Sequence, residues 1–429
     1  MKVVIMAGGK GTRISSVASD IPKPMIRIGD MPVLEHEIMC LRDQGFDDLI
    51  ITVSHLGHII MDYFGDGSKK SPVTGKQFGV HIEYFVEEQP LGNAGALFKI
   101  KDKLTEDFLL LNADAVFDID FNRFVAYHNQ KGGLVTLFTH PNSHPYDSGL
   151  IISSENGVVE QWLAKEDERP KYYRNRVNAG IHIISPKALE CEINTPKIDL
   201  DRQLLKPLAG TGKMFVYDSP EYVKDMGTPD RYEAVCRDFE NGTVQHKNLR
   251  QKQKAIFLDR DGTINKYVGF LCDIEEFELI DGVSDAIKTI NSSGYLAIVV
   301  TNQPVIARGD VTLGELNEIH NKMETLLGLE GAYLDGIFFC PHHPHKGYDG
   351  EVTELKIDCE CRKPKAGMLF KAAECFNIDL SESWMIGDSE NDILAGIAAG
   401  CKTGLIGNGL YGQNATDVSL VALLKSIIK

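Results

Sequence analysis

Nowhere in its 429 residues does the chain carry an apolar run near the roughly 20 residues that a membrane-spanning helix requires. Its first apolar stretch, Met1–Ala7, is too short for a secretory signal and runs directly into glycines. Basic charge is scarce: 45 lysines and arginines face 61 acids, for a formal net charge of −16. That balance argues against nucleic acid as a partner, since such binders present a basic face. A disulfide framework is also lacking, because the nine cysteines are odd in number and mostly scattered. Such usage suits a reducing cytoplasm. There is no dinucleotide-binding glycine fingerprint, no P-loop ending and no hexapeptide repeat. What remains is the composition of a soluble globular protein, 43% hydrophobic and 25% charged, in a chain long enough for two domains.

The most informative stretch lies past the middle, Lys254-Ala-Ile-Phe-Leu-Asp-Arg-Asp-Gly-Thr-Ile-Asn265. It reads as a buried parallel strand feeding a loop that carries Asp259 and Asp261. Two carboxylates at that spacing suit metal-assisted phosphoryl chemistry, one attacking phosphorus and the other moving a proton. A helix follows near Val283–Ser292, then a strand Leu296–Val300 ending in Thr301-Asn302-Gln303. Thr301 and Asn302 there could donate to a transferring phosphoryl group. Arg308 follows near the same mouth. Trp384–Asp392 is a further strand ending, with Asp388 on the loop, and Asp392 would share a helical face with Asp388 if the helix starts there. Between them, Cys340-Pro341-His342-His343-Pro344 and Cys359-Glu360-Cys361 together offer a closed tetrahedral thiolate–imidazole site of structural type.

The first half opens with a strand, Lys2–Ala7, and a glycine loop, Gly8-Gly9-Lys10-Gly11-Thr12-Arg13. Glycines after a strand let backbone N–H groups approach phosphate, and Arg13 adds a fork of donors. Lys23 stands between Pro22 and Pro24, which stiffen its backbone. Strands are expected at Leu49–Ser54, Val80–Val86, Phe108–Leu111, Leu134–Thr139, Gly149–Ile152 and Ile181–Ile184. Helices are expected near Val33–Gln44, Ala94–Ile100 and Phe121–Asn129. This alternation implies an α/β fold with a mostly parallel sheet and ligands beyond the strand C-termini. His140–His144 reads as a surface turn. Asn241–Lys254, polar and without hydrophobic periodicity, reads as a solvated linker, which divides the chain into residues 1–240, a linker at 241–253, and 254–429.

Taken in order, the first-half strings resemble the sugar-1-phosphate nucleotidyltransferases. The resemblance rests on Ala7–Arg13, Pro22–Met25, Glu88–Gly95, Leu109–Asp114, Val177–Gly180 and Val223–Pro229. It implies a Rossmann-like mixed sheet. Gly8, Gly9, Gly11, Leu91, Gly92 and Asn93 would contact the nucleotide, with Arg13 and Lys23 as catalytic cations. Asp114 and Asp225 would hold Mg²⁺, Asn178 would lie in the sugar site, and Lys165 would meet the sugar phosphate. Asn93 stands where the family has threonine, and Ala113 where it has glycine. The second-half strings resemble the haloacid dehalogenase superfamily phosphatases, a second doubly wound domain. That resemblance implies Asp259 as nucleophile and Asp261 as acid and base. Lys363 would be the neutralising cation, and Mg²⁺ would lie between Asp259, the Asp261 carbonyl and Asp388. Thr301, Asn302, Arg308 and Arg362 would contact substrate.

The cysteine–histidine strings narrow this to the zinc-loop phosphatases, the family of heptose-1,7-bisphosphate 7-phosphatase and histidinol phosphatase. They imply Zn²⁺ on Cys340, His342, Cys359 and Cys361, with His343 or His345 open as substitutes for His342. Pro304 and Val305 depart from that family's serine and glycine. The first half is most similar to the heptose-1-phosphate guanylyltransferases. Together the two resemblances imply a bifunctional, cytoplasmic enzyme of nucleotide-activated heptose synthesis. Its small-molecule partners would be a nucleoside triphosphate, GTP foremost, and heptose phosphates, and a homo-oligomer is possible. Other nucleotides or sugars, or a first half that only senses a nucleotide-sugar, stay open on these grounds.

Overall fold

A computed structural model describes residues 1–9, 20–191, 193, 195 and 197–428. Gly11 and Arg13 lie outside the described residues. The chain forms two compact units, each α/β. Among the described residues no helix is long and apolar enough to cross a membrane.

The first unit comprises Met1–His140, Ile151–Leu163 and Asn178–Asn248. Its strands are β1 (Val3–Met6), β2 (Asp48–Val53), β3 (His81–Val86), β4 (Phe108–Asn112), β5 (Ala115–Asp118), β6 (Val135–His140), β7 (Leu150–Ser153), β8 (Val159–Leu163), β9 (Val177–Ile184), β10 (Met214–Asp218) and β11 (Tyr222–Asp225). Its main helices are α1 (Val33–Arg42), α2 (Gly57–Phe64), α3 (Gly95–Ile100), α4 (Phe121–Lys131) and α5 (Pro229–Glu240). The sheet runs β8-β7-β9-β4-β1-β2-β3, and β6 joins it by pairing with β9 and β10. β1 lies parallel to β2 and β4, while β9 runs antiparallel to β4. The continuous apolar run of β1 is explained by burial on both faces: Val3 and Ile5 feed one core, Val4 the other. Each such fully buried side chain contributes about 1.5–3 kcal/mol. A two-stranded ribbon, β5 with β11, stands apart and places Asp225 opposite Ala115.

The second unit comprises Pro141–Leu150, Ala164–Val177 and Leu249–Lys429. Its elements are β12 (Lys254–Leu258), α6 (Val283–Asn291), β13 (Tyr295–Asn302), α7 (Leu313–Leu329), β14 (Gly336–Cys340), α8 (Gly367–Phe376), β15 (Trp384–Gly387), α9 (Glu390–Ala399), β16 (Lys402–Ile406), β17 (Ala415–Asp417) and α10 (Leu420–Ile427). The strands form a parallel sheet in the order β14-β13-β12-β15-β16-β17. β12 is central, with Ile256 and Leu258 in one core and Ala255 and Phe257 in the other. Helix α7 begins on a reciprocal cap, in which Thr312 accepts from Glu315 N–H and the Glu315 side chain accepts from Thr312 N–H.

Two observations bear on the domain limits expected from sequence. The solvated linker is instead folded. Its first part forms a helical turn, Thr243–His246, which buries Val244, and Asn248 donates to Asp118 at 2.6 Å. Leu249 and Gln253 are buried in the second unit, where Asn377 donates to the carbonyls of Leu249 and Gln251. Polar side chains can be buried when their hydrogen bonds are met, which composition does not reveal. Likewise, residues 141–150 and 164–177 belong with the second unit rather than with a 1–240 domain. Within that unit Tyr173 N–H donates to Thr325 Oγ1 at 2.8 Å, and buried Arg176 pairs with buried Glu324 at 3.1 Å.

Candidate active sites

In the first unit a cavity of about 620 Å³ opens at the C-terminal ends of β1, β2 and β4. Met6, Thr52 and Asn112 mark those strand ends, and Gly8, Gly9, Lys23, Gly92, Asn93 and Asp114 share the lining. Lys23 is held in a tight turn, Lys23–Met25, entered from Pro22, and only 9% of it is exposed. Its Nζ lies 2.7 Å from Asp114 Oδ2. Asp225 stands on the adjoining ribbon, and Met226 N–H donates to the Asp114 carbonyl. The two acids therefore sit on neighbouring backbone. Burial alone would raise the Asp225 carboxyl. The Gly227 N–H, the Arg231 guanidinium 2.8 Å away and the Lys23 charge outweigh it and hold the group below its ordinary range. Arg231 was not singled out from sequence. It lies in the first turn of α5 after the Thr228 cap, six residues beyond Asp225.

The glycine-rich segment at Gly92 owes its residue type to backbone shape. Gly92 has φ +83°, and a Cβ there would fall 2.3 Å from the Ile198 carbonyl oxygen. Asn93 lines the cavity and also accepts from Leu200 N–H at 2.7 Å, so its amide oxygen is already engaged. Three expected contacts do not line the cavity: Leu91, Asn178 and Lys165. Asn178 accepts from Gly180 N–H and bonds His182 Nε2, both at 3.2 Å. Lys165 is exposed and lies in the 164–177 segment of the second unit. One buried acid was not foreseen. Glu37 on α1 is 1% exposed, and neither of its carboxyl oxygens has a hydrogen-bond partner among the described residues. Burial, and then the Asp114 charge, push it well above the carboxylate range, so it is held neutral.

In the second unit Asp259 follows β12, and its N–H donates to the Ile386 carbonyl of β15. Lys363 is 3% exposed, and its Nζ reaches Asp259 Oδ1 at 2.8 Å, Asp392 Oδ1 at 2.6 Å and the Val300 carbonyl at 2.8 Å. Oxygens of Asp259, Asp388 and Asp392 lie within 4.8 Å of one another. Burial, then the Asp392 charge, push Asp259 up to about 7 against the opposing pull of Lys363. The same two causes push Asp388 up to about 6. One lysine does not balance three acids, and a donor set of this kind fits a hard divalent cation. Gly262 has φ +83°, and a Cβ on it would stand 2.0 Å from Asp388 Oδ2, so only glycine lets the two loops meet. Asp392 also closes the cap of α9, accepting from Ser389 N–H at 3.0 Å and Ser389 Oγ at 2.6 Å.

Other expected contacts divide by what their side chains already do. Asn302 is tied to the Lys363 backbone by its amide, whose second N–H hydrogen is left over. It accepts from Lys363 N–H and donates to the Lys363 carbonyl, both at 3.0 Å, and so fixes the lysine's backbone. Thr301 Oγ1 accepts from Gln303 Nε2, which leaves its own hydroxyl hydrogen available. The Arg308 guanidinium packs over Phe270 at 4.0 Å and Tyr348 at 4.7 Å, with Asp310 as its ion partner. Arg362 donates to the His342 carbonyl. Val305, where an apolar residue was unexpected, is 2% exposed in a small core with Ile306, Val311 and Leu316.

Cys340, His342, Cys359 and Cys361 converge as a group able to hold a metal. Cys340 Sγ is 3.5 Å from Cys359 Sγ and 3.2 Å from Cys361 Sγ, and His342 Nδ1 is 3.3 Å from Cys361 Sγ. His343 turns elsewhere, its Nδ1 bonding the His345 carbonyl and its ring packing on Tyr348. His342 is thus the histidine brought to the sulfurs.

Comparison with known proteins finds a different family in each half of the chain. The nucleotidyl transferase family matches residues 2–241, and the HAD-hydrolase-like family matches residues 360–421. D-glycero-beta-D-manno-heptose-1,7-bisphosphate 7-phosphatase from Yersinia pestis is 44% identical over 155 residues, 36% of this chain and 80% of the relative. The Salmonella typhi phosphatase of the same name is 43% identical over 182 residues, 41% of this chain and 95% of the relative. Among solved structures, HddC from Yersinia pseudotuberculosis is 26% identical with a TM-score of 0.46, covering 56% of this chain and 99% of its own. The chain thus belongs to the nucleotidyl transferase family through its first half, and through its second to the family of D-glycero-beta-D-manno-heptose-1,7-bisphosphate 7-phosphatases.

Proposed function

We propose that the chain catalyses two successive steps on one sugar: removal of the 7-phosphate from a heptose 1,7-bisphosphate, then nucleotidyl transfer to the 1-phosphate that remains. The observation that carries this reading is the co-occurrence of a phosphatase half 44% identical to a heptose-bisphosphate phosphatase with a nucleotidyl transferase half in one chain. The product of the first chemistry is the kind of substrate the second consumes. Nucleoside triphosphates and sugar phosphates are internal metabolites, which favours a cytoplasmic enzyme.

In the phosphatase, an Asp259 oxygen attacks phosphorus and the ester bond breaks. The leaving oxygen takes a proton from the Asp261 carboxyl. Asp261, now a carboxylate, accepts a proton from water as that water displaces Asp259 from phosphorus. Lys363 balances the nucleophile's charge. Asp259, Asp388 and the Asp261 carbonyl would hold Mg²⁺, which supplies electrostatic neutralisation of the phosphoryl oxygens. Zn²⁺ on Cys340, His342, Cys359 and Cys361 would fix the loop that carries Arg362, since four protein ligands leave no open position. In the transferase, Lys23 bears on the phosphate chain, and Asp114 and Asp225 would hold the second Mg²⁺. GTP is the proposed donor.

Purified protein given the bisphosphate, Mg²⁺ and each of GTP, ATP, CTP and UTP tests this, with products read by mass spectrometry. The expected result is equimolar phosphate and pyrophosphate with a GDP-heptose. Phosphate without any nucleotide-sugar would leave the first half a sensor, and a preferred triphosphate other than GTP would change the donor.

A further inference from the structure

The residue between the two catalytic acids, Arg260, is buried without any exposed surface. Its carbonyl gathers the loop, accepting from the N–H groups of Thr263, Ile264 and Asn265. Its guanidinium grips Asp261: Nη2 lies 2.9 Å from each carboxylate oxygen and Nε lies 3.2 Å from Oδ1. Asn265 Nδ2 adds a bond to Oδ1 at 3.1 Å, and Gln303 Nε2 one to Oδ2 at 2.9 Å. Every one of these partners donates, so the cradle fixes the rotamer of the Asp261 carboxyl group. Arg260 is itself fixed. Gln303 Oε1 accepts from Nη2 at 3.1 Å, and Nη1 meets His320 Nε2 of α7 at 3.3 Å. An arginine can only donate, so that ring nitrogen accepts.

We infer that Arg260, braced by His320, is a positioning residue of the phosphatase that holds Asp261 as the base for the second half-reaction. The inference rests on the acid and base assignment proposed above for Asp261. It separates the two halves of the cycle. Phosphorylation of Asp259 needs a proton on the leaving oxygen only when that oxygen is a poor leaving group. Hydrolysis of the aspartyl-phosphate always needs a base at water.

p-Nitrophenyl phosphate, whose leaving group needs no proton, isolates the second half. The full chain and its Arg260→Lys, His320→Gln and Asp261→Asn variants are mixed with it and Mg²⁺, quenched in acid and weighed by mass spectrometry. General acid–base catalysis contributes about 10²- to 10⁴-fold, so Asp261→Asn should leave Asp259 phosphorylated in most molecules. Arg260→Lys and His320→Gln should raise the phosphorylated fraction at least about threefold over wild type, while the initial release of p-nitrophenolate stays within about threefold. A variant that had merely lost its fold would lose the burst and the turnover together. The inference is overturned if Asp261→Asn accumulates phosphoenzyme and Arg260→Lys and His320→Gln do not. If Asp261→Asn itself accumulates none, the failure lies in the role given to Asp261.

Discussion

The acid cluster around Asp259 should make the chelated protein lose stability as pH rises. Asp259 is pushed from 3.8 up to about 7 by burial and by Asp392, and Asp388 is pushed up to about 6. A carboxyl whose folded value lies above its unfolded one favours the folded, protonated form. Its stabilising contribution is whole below about pH 4 and is lost as pH climbs through about 6 to 7. A displacement of roughly three units at 1.36 kcal/mol per unit is about 4 kcal/mol. Asp259 shares that charge with Asp388 and Asp392, so about half, ~2 kcal/mol, is assigned to removing it alone. For a unit of this size ~2 kcal/mol is roughly 4–8 °C in Tm. The assay is calorimetry of the chelated full chain and of Asp259→Asn, from pH 4 to 8, with and without Mg²⁺. Wild type should fall relative to the variant by roughly 4–8 °C as pH rises. Mg²⁺ should raise wild type more at pH 8 than at pH 5, and that pH dependence should be lost in Asp259→Asn, where any remaining rise reports the proposed Asp114–Asp225 site. A wild-type-minus-variant difference that stays flat across that range, or equal rescue by Mg²⁺ at pH 5 and 8, refutes the reasoning.

Replacing Lys363 with methionine leaves Asp259 and Asp392 without their shared cation. It should abolish phosphate release from the bisphosphate, spare pyrophosphate release when heptose 1-phosphate is supplied with GTP, and cost about 3–5 kcal/mol in denaturant unfolding; retained phosphatase turnover would count against the ion triad. Cys359→Ser should lower zinc content by about one equivalent per chain in elemental analysis, and an unchanged content would place the metal elsewhere. Glu37 is held neutral above its ordinary value, so its ionisation costs stability at high pH. Glu37→Gln should melt above wild type at pH 9, and the gap should close as pH falls into the carboxylate range. A gap that grows on acidification would mean Glu37 is charged in the fold.

Strand ends were legible because a strand buried on both faces has one permitted composition. The apolar runs at Val3–Met6 and Lys254–Leu258 marked the sheet centres, and Gly8 and Gly9 past the first and Asp259 past the second fell at the sites. Roles were less legible wherever a polar side chain could spend its hydrogen bonds on either ligand or backbone. Asn302 reads as a phosphoryl donor, and its amide also holds the Lys363 backbone, a second task with no local sequence signal. Asp392 has two tasks, capping α9 through Ser389 and pairing with Lys363, and only the first has a local sequence signal, Ser389 followed three residues later by an acid. Arg260 occupies the position between the two motif acids, where the string itself specifies nothing. Its function depends on His320, 60 residues away on α7, a pairing that no periodicity encodes. The folded run at 241–253 has the same explanation. Asn248 and Gln253 are polar, and their burial follows from partners far along the chain, Asp118 for one and the segment after α8 for the other. Local pattern therefore locates the reacting groups, while the groups that hold them in place are set by contacts between distant segments. That is why substitutions at Arg260, His320 and Glu37 probe the fold's contribution to this enzyme more sharply than substitution of Asp259.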